Sequence, residues 1–161
     1  MRQPFVRLHS RAVGVAVFVA MTVATAADLG PAKPAAADPL ALARTQIKAK
    51  QWSAAQAELR RVNATASADW QNLMGYVARK SSPPDLDGAE RYYLEALRID
   101  PRHRGALEYS GELYLIKGDL PRAEAQLATL DKACTFGCEE YTDLKKAVAR
   151  YKAAGHWVPE D

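Results

Sequence analysis

Residues 89–101 read Ala-Glu-Arg-Tyr-Tyr-Leu-Glu-Ala-Leu-Arg-Ile-Asp-Pro, and the apolar spacing in this stretch decides the fold. Ala89, Tyr93 and Ala96 follow one another at intervals of four and three residues, which places them on one face of an α-helix. Pro101 closes the stretch, because proline lacks the backbone N–H that a helix interior needs. The segment therefore predicts an amphipathic helix that ends just before Pro101.

The same apolar triplet recurs 34 residues away in both directions. Ala55 and Ala123 stand 34 positions before and after Ala89, and the positions four and seven residues further on are again apolar. These equivalents are Leu59 and Val62 in the first unit, and Leu127 and Leu130 in the third. A period of roughly 20–50 residues is the sequence signature of a solenoid or another repeat array. We therefore predict an all-α fold, an α-solenoid of about three helix pairs.

The half of each unit that precedes the alanine is also helical in pattern, most clearly in the third unit. There, Gly111 would let a neighbouring helix approach closely, Gly118 would end the first helix, and Pro121 would suit the opening turn of the second. After the third unit, residues 139–152 carry apolar side chains on one face and charges on the other. That pattern predicts a capping helix that covers the last repeat.

These features resemble the tetratricopeptide repeat (TPR) family. Its second helix follows the pattern Ala-x3-aromatic-x2-Ala with a closing proline, which Ala89, Tyr93, Ala96 and Pro101 match. Its first helix carries a large, a small and an aromatic residue, matched in the third unit by Leu107, Gly111 and Tyr114. The resemblance covers about residues 39–152, and short exported bacterial proteins with this pattern and a cysteine pair before the cap are similar. It implies a non-enzymatic module that binds other proteins.

The resemblance also implies where a partner would bind. In this family the first helices of successive repeats line a groove that receives an extended or helical peptide. The positions of this chain that carry over most directly are Arg44, Asn72, Tyr76, Arg79, Tyr109 and Glu112, with Ile47, Lys48, Lys80, Glu108 and Ile116 beside them. The lysine and asparagine set that marks the carboxylate-clamp members of the family is not present, so a free C-terminal carboxylate is not the predicted ligand.

The first 26 residues have the pattern of a secretory signal peptide. Three arginines precede an uncharged apolar run over residues 12–23, and a small-x-small sequence ends at Ala26. The run is shorter than the ~20 residues that cross a bilayer, so we expect no stable membrane span after cleavage. We predict a flexible Pro/Ala linker over residues 27–38, a repeat domain with its cap over 39–152, a tail over 153–161, and a periplasmic or secreted location.

The charge balance excludes one class of partner. Residues 1–26 contain three basic residues and no acidic ones, so the rest of the chain carries 19 basic and 19 acidic residues. A domain of zero net charge lacks the basic surface that a nucleic-acid backbone requires. We therefore predict a protein or peptide partner and no nucleic acid.

The two cysteines allow three interpretations. Cys134 and Cys138 flank a glycine-containing turn, and in an oxidising compartment such a pair is usually a structural disulfide. Two thiolates could instead contribute to a soft-metal site, or the pair could be redox-active. A metal-binding or thiol-redox protein is thus the alternative to the protein-binding function.

The sequence contains no recognisable catalytic motif. It has no glycine-rich phosphate loop, no His-Glu-x-x-His zinc helix and no Gly-x-Ser-x-Gly nucleophile turn. We predict that the chain is not an enzyme and needs no cofactor or metal. The leading hypothesis is an adaptor or assembly factor of the cell envelope. Self-association through the exposed ends of the solenoid is a further prediction.

Overall fold

The computed structural model describes residues 37–159, and within that range the chain forms seven α-helices and no strand. The helices are α1 (Ala41–Lys48), α2 (Trp52–Val62), α3 (Ala68–Lys80), α4 (Leu86–Ile99), α5 (Arg104–Ile116), α6 (Leu120–Ala133) and α7 (Glu139–Ala154). The predicted all-α class is therefore confirmed over these residues.

The helices stack as three pairs followed by a single helix. Helix α1 packs against α2, α3 against α4 and α5 against α6, and successive pairs touch through α2–α3 and α4–α5. The final helix α7 packs against both α5 and α6, where the cap was predicted. Over residues 37–159, the main helix contacts fall within a pair or between successive units, which is the arrangement of an α-solenoid.

The three alanines of the 34-residue period occupy equivalent positions. Ala55, Ala89 and Ala123 all lie near the start of the second helix of their pair, and all are fully buried. The side chains four residues on are less alike: Leu59 and Tyr93 are fully buried, whereas Leu127 is half-buried. The chain folds in the repeat register that the sequence predicts.

Two glycines allow close helix contacts. A Cβ atom at Gly75 of α3 would lie 2.6 Å from the ring of Tyr93 in α4. A Cβ atom at Gly111 of α5 would lie 2.5 Å from Leu144 of α7, so the predicted close approach at Gly111 is confirmed. Any larger side chain at either position would push the neighbouring helix away.

Helix ends follow local sequence signals. Ser67, Asp85 and Asp119 each accept a hydrogen bond from the backbone N–H three residues on, which caps α3, α4 and α6. Pro121 lies in the first turn of α6, and Gly118 follows α5 with a φ of 78°, both as predicted. These signals fix the lengths of the helices and hence the stacking of the pairs.

The core runs along the stack as three clusters of buried apolar side chains. The first joins α1, α2 and α3, the second joins α3, α4 and α5, and the third joins α5, α6 and α7. Trp70 in the first cluster is almost fully buried, and its indole N–H donates to the Leu59 carbonyl oxygen at 2.7 Å. Each buried large side chain contributes roughly 1.5–3 kcal/mol through the hydrophobic effect, so stacking stabilises the array.

Several predicted segments lie outside the described residues. The signal peptide over residues 1–26 and nearly all of the predicted linker precede residue 37, so both stay predictions. Helix α7 ends at Ala154, so two residues of the predicted tail are helical. Over residues 37–159, no helix has the length and apolarity to cross a bilayer.

Candidate functional site

The first helices of successive pairs carry two adjoining cavities, which we call the groove. The apolar cavity has a volume of about 410 Å³ and is lined by Arg44, Ile47, Lys48, Lys50, Trp52, Leu73, Tyr76 and Tyr109. The polar cavity has a volume of about 290 Å³ and is lined by Tyr76, Arg79, Lys80, Glu108, Tyr109, Glu112, Ile116, Arg150, Trp157 and Pro159. Because two tyrosines line both, the cavities form one continuous surface from α1 to α7.

The shared wall consists of stacked aromatic rings. The rings of Tyr76 on α3 and Tyr109 on α5 lie 4.7 Å apart between centroids. Trp52 extends the row on the other side, with its ring centroid 6.1 Å from that of Tyr76 in an edge-on arrangement. These distances fall within the favourable range for aromatic pairs, so the wall is a rigid apolar surface. Ile47 and Leu73 complete the apolar cavity.

A buried ion pair forms the floor of the polar cavity. Nη1 of Arg79 lies 2.6 Å from Oε2 of Glu112, and the Arg79 side chain is only 4% exposed. The guanidinium also lies 5.5 Å from the ring centroid of Tyr76 and 5.4 Å from that of Tyr109. Burial lowers the pKa of Arg79, but the nearby Tyr93, Glu112 and Tyr76 outweigh it, so the pKa is raised and the arginine stays charged. The arginine thereby ties α3 to α5 beneath the aromatic wall.

Glu108 lies one turn before Glu112 and has a different environment. The residue is 9% exposed and lines the polar cavity, yet it makes no hydrogen bond or ion pair within residues 37–159. Burial raises the pKa of its carboxyl to about 8, helped by the carboxylates of Glu112, Asp143 and Glu140 and opposed by Arg79. At neutral pH this carboxyl is therefore largely protonated.

The structure brings together most of the predicted partner-binding residues. Tyr76 and Tyr109 form the shared wall, Arg79 and Glu112 lie in the polar cavity, and Arg44 lies at the rim of the apolar cavity. The neighbouring positions that the family resemblance indicated also line the groove, namely Ile47, Lys48, Lys80, Glu108 and Ile116. Whether these side chains contact a partner stays a prediction.

Asn72 is the exception. It lies outside both cavities of the groove and lines a separate polar cavity of about 370 Å³ between the N-terminal ends of α3 and α5. The reason is local: Gly105 leaves space beside its amide, since a Cβ atom there would lie 3.0 Å from Nδ2 of Asn72. The side chain is buried against α5 instead of facing the groove.

His103 contributes to that same end of the fold. The sequence places it in a basic trio at a turn, for which we expect a solvated role. Its Nδ1 accepts from the Ala106 backbone N–H at 3.0 Å, and its Nε2 lies 2.9 Å from Oδ1 of Asp69. Asp69 also pairs with Arg44, so α1, α3 and α5 are linked at this end. Burial raises the pKa of Asp69, but the bonds from His103 and Arg44 outweigh it, and the pKa is lowered.

Sequence reasoning missed several groove residues. Lys50, Trp52 and Leu73 line the apolar cavity, although the sequence places Trp52 at a packing position in a turn. Arg150 and the tail residue Trp157 line the polar cavity, and Trp157 also packs against the α5–α7 core cluster. Trp157 thus folds back on the cap.

The cysteine pair lies away from the groove. Cys134 and Cys138 form a disulfide with their Cα atoms 5.6 Å apart, between α6 and α7. The Cys138 sulfur accepts from the Tyr141 backbone N–H at 3.4 Å and so caps α7. Over residues 37–159, no group of three or more His, Cys, Asp or Glu side chains is arranged to hold a metal ion. The metal interpretation therefore gains no support from the geometry of these residues.

Comparison with known proteins identifies a structural neighbour. No protein-family model matches the sequence, and neither does any curated protein. A similar solved structure is the type III secretion chaperone SycD of Yersinia enterocolitica, in complex with a peptide of the translocator YopD. The TM-score is 0.58 at 18% identity, over 71% of this chain and 87% of SycD. The chain has a TPR-like, all-helical fold.

Proposed function

We propose that this protein binds a segment of another polypeptide in the groove and has no enzymatic activity. The observation that carries the proposal is the shared wall of Tyr76 and Tyr109, which joins an apolar and a polar cavity across successive helix pairs. Rigid aromatic side chains at the centre of a partly enclosed surface are typical anchors of protein interfaces. An array of first helices offers such anchors in a row, as an extended or helical peptide requires.

Two further observations support this function. SycD, which shares the fold, is described in complex with a translocator peptide. The repeat period and the quoted motif positions support membership of the tetratricopeptide family. Together they favour a chaperone, adaptor or assembly factor over a purely structural helical array.

The chemistry of the apolar cavity indicates one feature of the partner. Its walls would accept a large apolar side chain, while Lys48 and Lys50 place two positive charges around it, beside the ion-paired Arg44. Rim charges of one sign steer and select partners of the opposite sign. The bound segment should therefore present an apolar residue with acidic residues beside it.

The proposed setting is the cell envelope. The predicted leader over residues 1–26 supports export, and a disulfide between Cys134 and Cys138 is typical of an oxidising compartment. The full chain should be expressed in a bacterium and the periplasmic fraction analysed by intact mass. A product that begins near residue 27 and has lost two hydrogens is expected, whereas an uncleaved product in the cytoplasm would contradict export.

The binding function can be tested with the purified protein and random 12-residue peptides displayed on phage. We expect enrichment of a peptide family with a common apolar position. The double variant Y76A/Y109A should weaken the binding of a selected peptide at least about tenfold, because two aromatic anchors are removed. The control is L94A, since Leu94 is half-exposed on α4 and lines neither cavity.

The comparison of these variants decides the proposal. Circular dichroism and thermal unfolding must show that the double variant retains the helical fold. If no peptide family is enriched, or if Y76A/Y109A binds the selected peptides as tightly as L94A does, the groove is not the binding site.

A further inference from the structure

Among the carboxylates of the described chain, Glu108 is buried without a partner. Glu58 on α2 is buried to the same extent, 9% exposed, but its two oxygens accept from Arg61 at 2.6 and 2.8 Å. Within residues 37–159, Glu108 has no comparable bond. A buried acid without a counter-ion destabilises the fold, so its presence in a cavity points to a role beyond packing.

Arg79, Lys80 and Arg150 line the same cavity, and Arg79 is the cation that acts on Glu108 most strongly, but it does not neutralise this carboxyl. Arg79 pairs with Glu112, one turn further along α5, at 2.6 Å. The remaining charged groups that act on Glu108 most strongly are acidic, namely Glu112 and the two α7 residues Glu140 and Asp143. The local field at Glu108 therefore favours the addition of positive charge, and in the unliganded protein the carboxyl proton supplies it.

The walls around Glu108 suit an organic cation. Tyr76 and Tyr109 line the same cavity, and aromatic faces within about 6 Å attract ammonium and guanidinium groups. The tyrosine pair already binds Arg79 in this way from below. A metal ion fits less well, since no cluster of three ligating side chains exists over residues 37–159.

We propose that Glu108, together with the shared wall of Tyr76 and Tyr109, is a subsite for a lysine or arginine side chain of the bound polypeptide. This inference rests on the proposed function and specifies its ligand. When the cation binds, the carboxyl releases its proton to the solvent, and the resulting carboxylate forms an ion pair with the cation inside the cavity. The apolar cavity shares the same tyrosines, so the basic residue and the apolar anchor lie close together in the ligand.

The test is the same peptide selection, repeated with E108Q and with E58Q as the matched control. Glu58 has the same exposed fraction, 9%, but lines neither cavity. The wild-type protein and E58Q should enrich peptides with Lys or Arg at a fixed position close to the apolar residue. E108Q should retain the apolar preference and lose the basic one.

The outcomes separate this inference from the proposed function. If no peptide family is enriched by the wild-type protein, both fail. If peptides with an apolar anchor are enriched but no basic position appears, or if E108Q keeps the basic position, only the Glu108 subsite is overturned.

A second measurement tests the charge directly. Calorimetry between pH 6 and 9 should show a selected lysine peptide binding more tightly as pH rises, with the steepest change below the Glu108 pKa of about 8. The same peptide with norleucine for lysine, and the lysine peptide on E108Q, should show no such rise. The other charged or titratable groups around the cavity are Tyr76, Arg79, Lys80, Tyr109, Glu112, Glu140, Asp143 and Arg150.

Those neighbours do not mimic the expected profile. Burial raises the pKa values of Tyr76 and Tyr109, which keeps both neutral over this range. Burial lowers the pKa of Lys80, so any loss of its charge at high pH would act in both the wild-type protein and E108Q. A flat profile for the wild-type protein with the lysine peptide would overturn the subsite.

Discussion

Two of the arginines that line the groove, Arg44 and Arg79, make ion pairs of nearly the same length in different environments. In the apolar cavity, Nη2 of Arg44 lies 2.7 Å from Oδ2 of Asp69, and the side chains are 39% and 53% exposed. In the polar cavity, Nη1 of Arg79 lies 2.6 Å from Oε2 of Glu112, and the side chains are 4% and 16% exposed. Distance does not distinguish the pairs, but burial does.

The difference divides the groove into two kinds of surface. Around the apolar cavity the charges are solvated, so they can steer a ligand and cost little to rearrange. In the polar cavity Arg79 and Glu112 form a buried ion pair, and removing one of them leaves the other buried and uncompensated. One end of the groove should therefore tolerate changes of charge, and the other should not.

Replacement of Arg79 is the strongest test of that contrast. R79A should destabilise the protein by about 3–5 kcal/mol, because Glu112 is left as an unpaired charge beneath the tyrosine wall. Urea unfolding followed by circular dichroism measures the loss. R98A is the control, since Arg98 makes an exposed i,i+3 pair with Glu95 at 2.7 Å. A loss for R79A no larger than that for R98A would mean that the buried pair does not hold α3 to α5.

The apolar cavity should respond to lost volume instead of lost charge. Leu73 lies in its wall and is 8% exposed. L73A should cost about 2–3 kcal/mol, the lower part of the range for leucine truncations, because the site opens to solvent and can partly collapse. The loss should be the same at pH 5 and pH 8. A pH-dependent loss would show that the two cavities are electrostatically coupled.

Unlike that of L73A, the effect of replacing Glu108 on stability should depend on pH. Its folded-state pKa of about 8 lies above the ordinary value of 4.5, so the folded state holds a proton that the unfolded state releases between these values. The wild-type protein should therefore lose stability as pH rises from 4.5 to 8. E108Q stays neutral and should become the more stable protein, by about 1–2 kcal/mol at pH 8.5 and by almost nothing at pH 4.

Thermal unfolding of both proteins across this range measures the difference. E58Q provides the control, because Arg61 lowers the pKa of Glu58, chiefly through its hydrogen bonds. E58Q should not gain stability at high pH. If the melting temperatures of E108Q and the wild-type protein change with pH in the same way, Glu108 is ionised in the folded state.

The sequence predicts the stacking of the fold better than it predicts the chemistry of the groove. Ala55, Ala89 and Ala123 specify the register, because a buried small residue at a fixed period leaves one arrangement of helix pairs. Tyr76 and Tyr109 follow from that register together with the family resemblance. The register and the positions of the two tyrosines both follow from features that recur in every repeat.

The remaining groove features depend on contacts that a repeat pattern does not contain. Arg79 pairs with Glu112 and leaves Glu108 without a partner, although both acids lie one turn apart on α5. Asn72 turns away from the groove because Gly105 gives it space. Trp157 reaches the polar cavity from beyond the cap. Each of these contacts depends on residues from different parts of the chain, so the periodicity within one helix cannot predict it.

Replacement of Arg44 should have the smallest effect on stability. R44A should cost at most about 1 kcal/mol, because its pairs with Asp69 and Asp38 are solvated. His103 also bonds Asp69, so that carboxylate keeps a partner when the arginine is removed. The same substitution should slow the association of a selected acidic peptide and weaken its salt dependence, since a rim charge acts mainly on the encounter. Stopped-flow fluorescence at two salt concentrations, with Trp52 as the reporter in the cavity, separates these effects. A loss of stability as large as that of R79A would mean that exposure does not distinguish the two ion pairs and that the groove is electrostatically uniform.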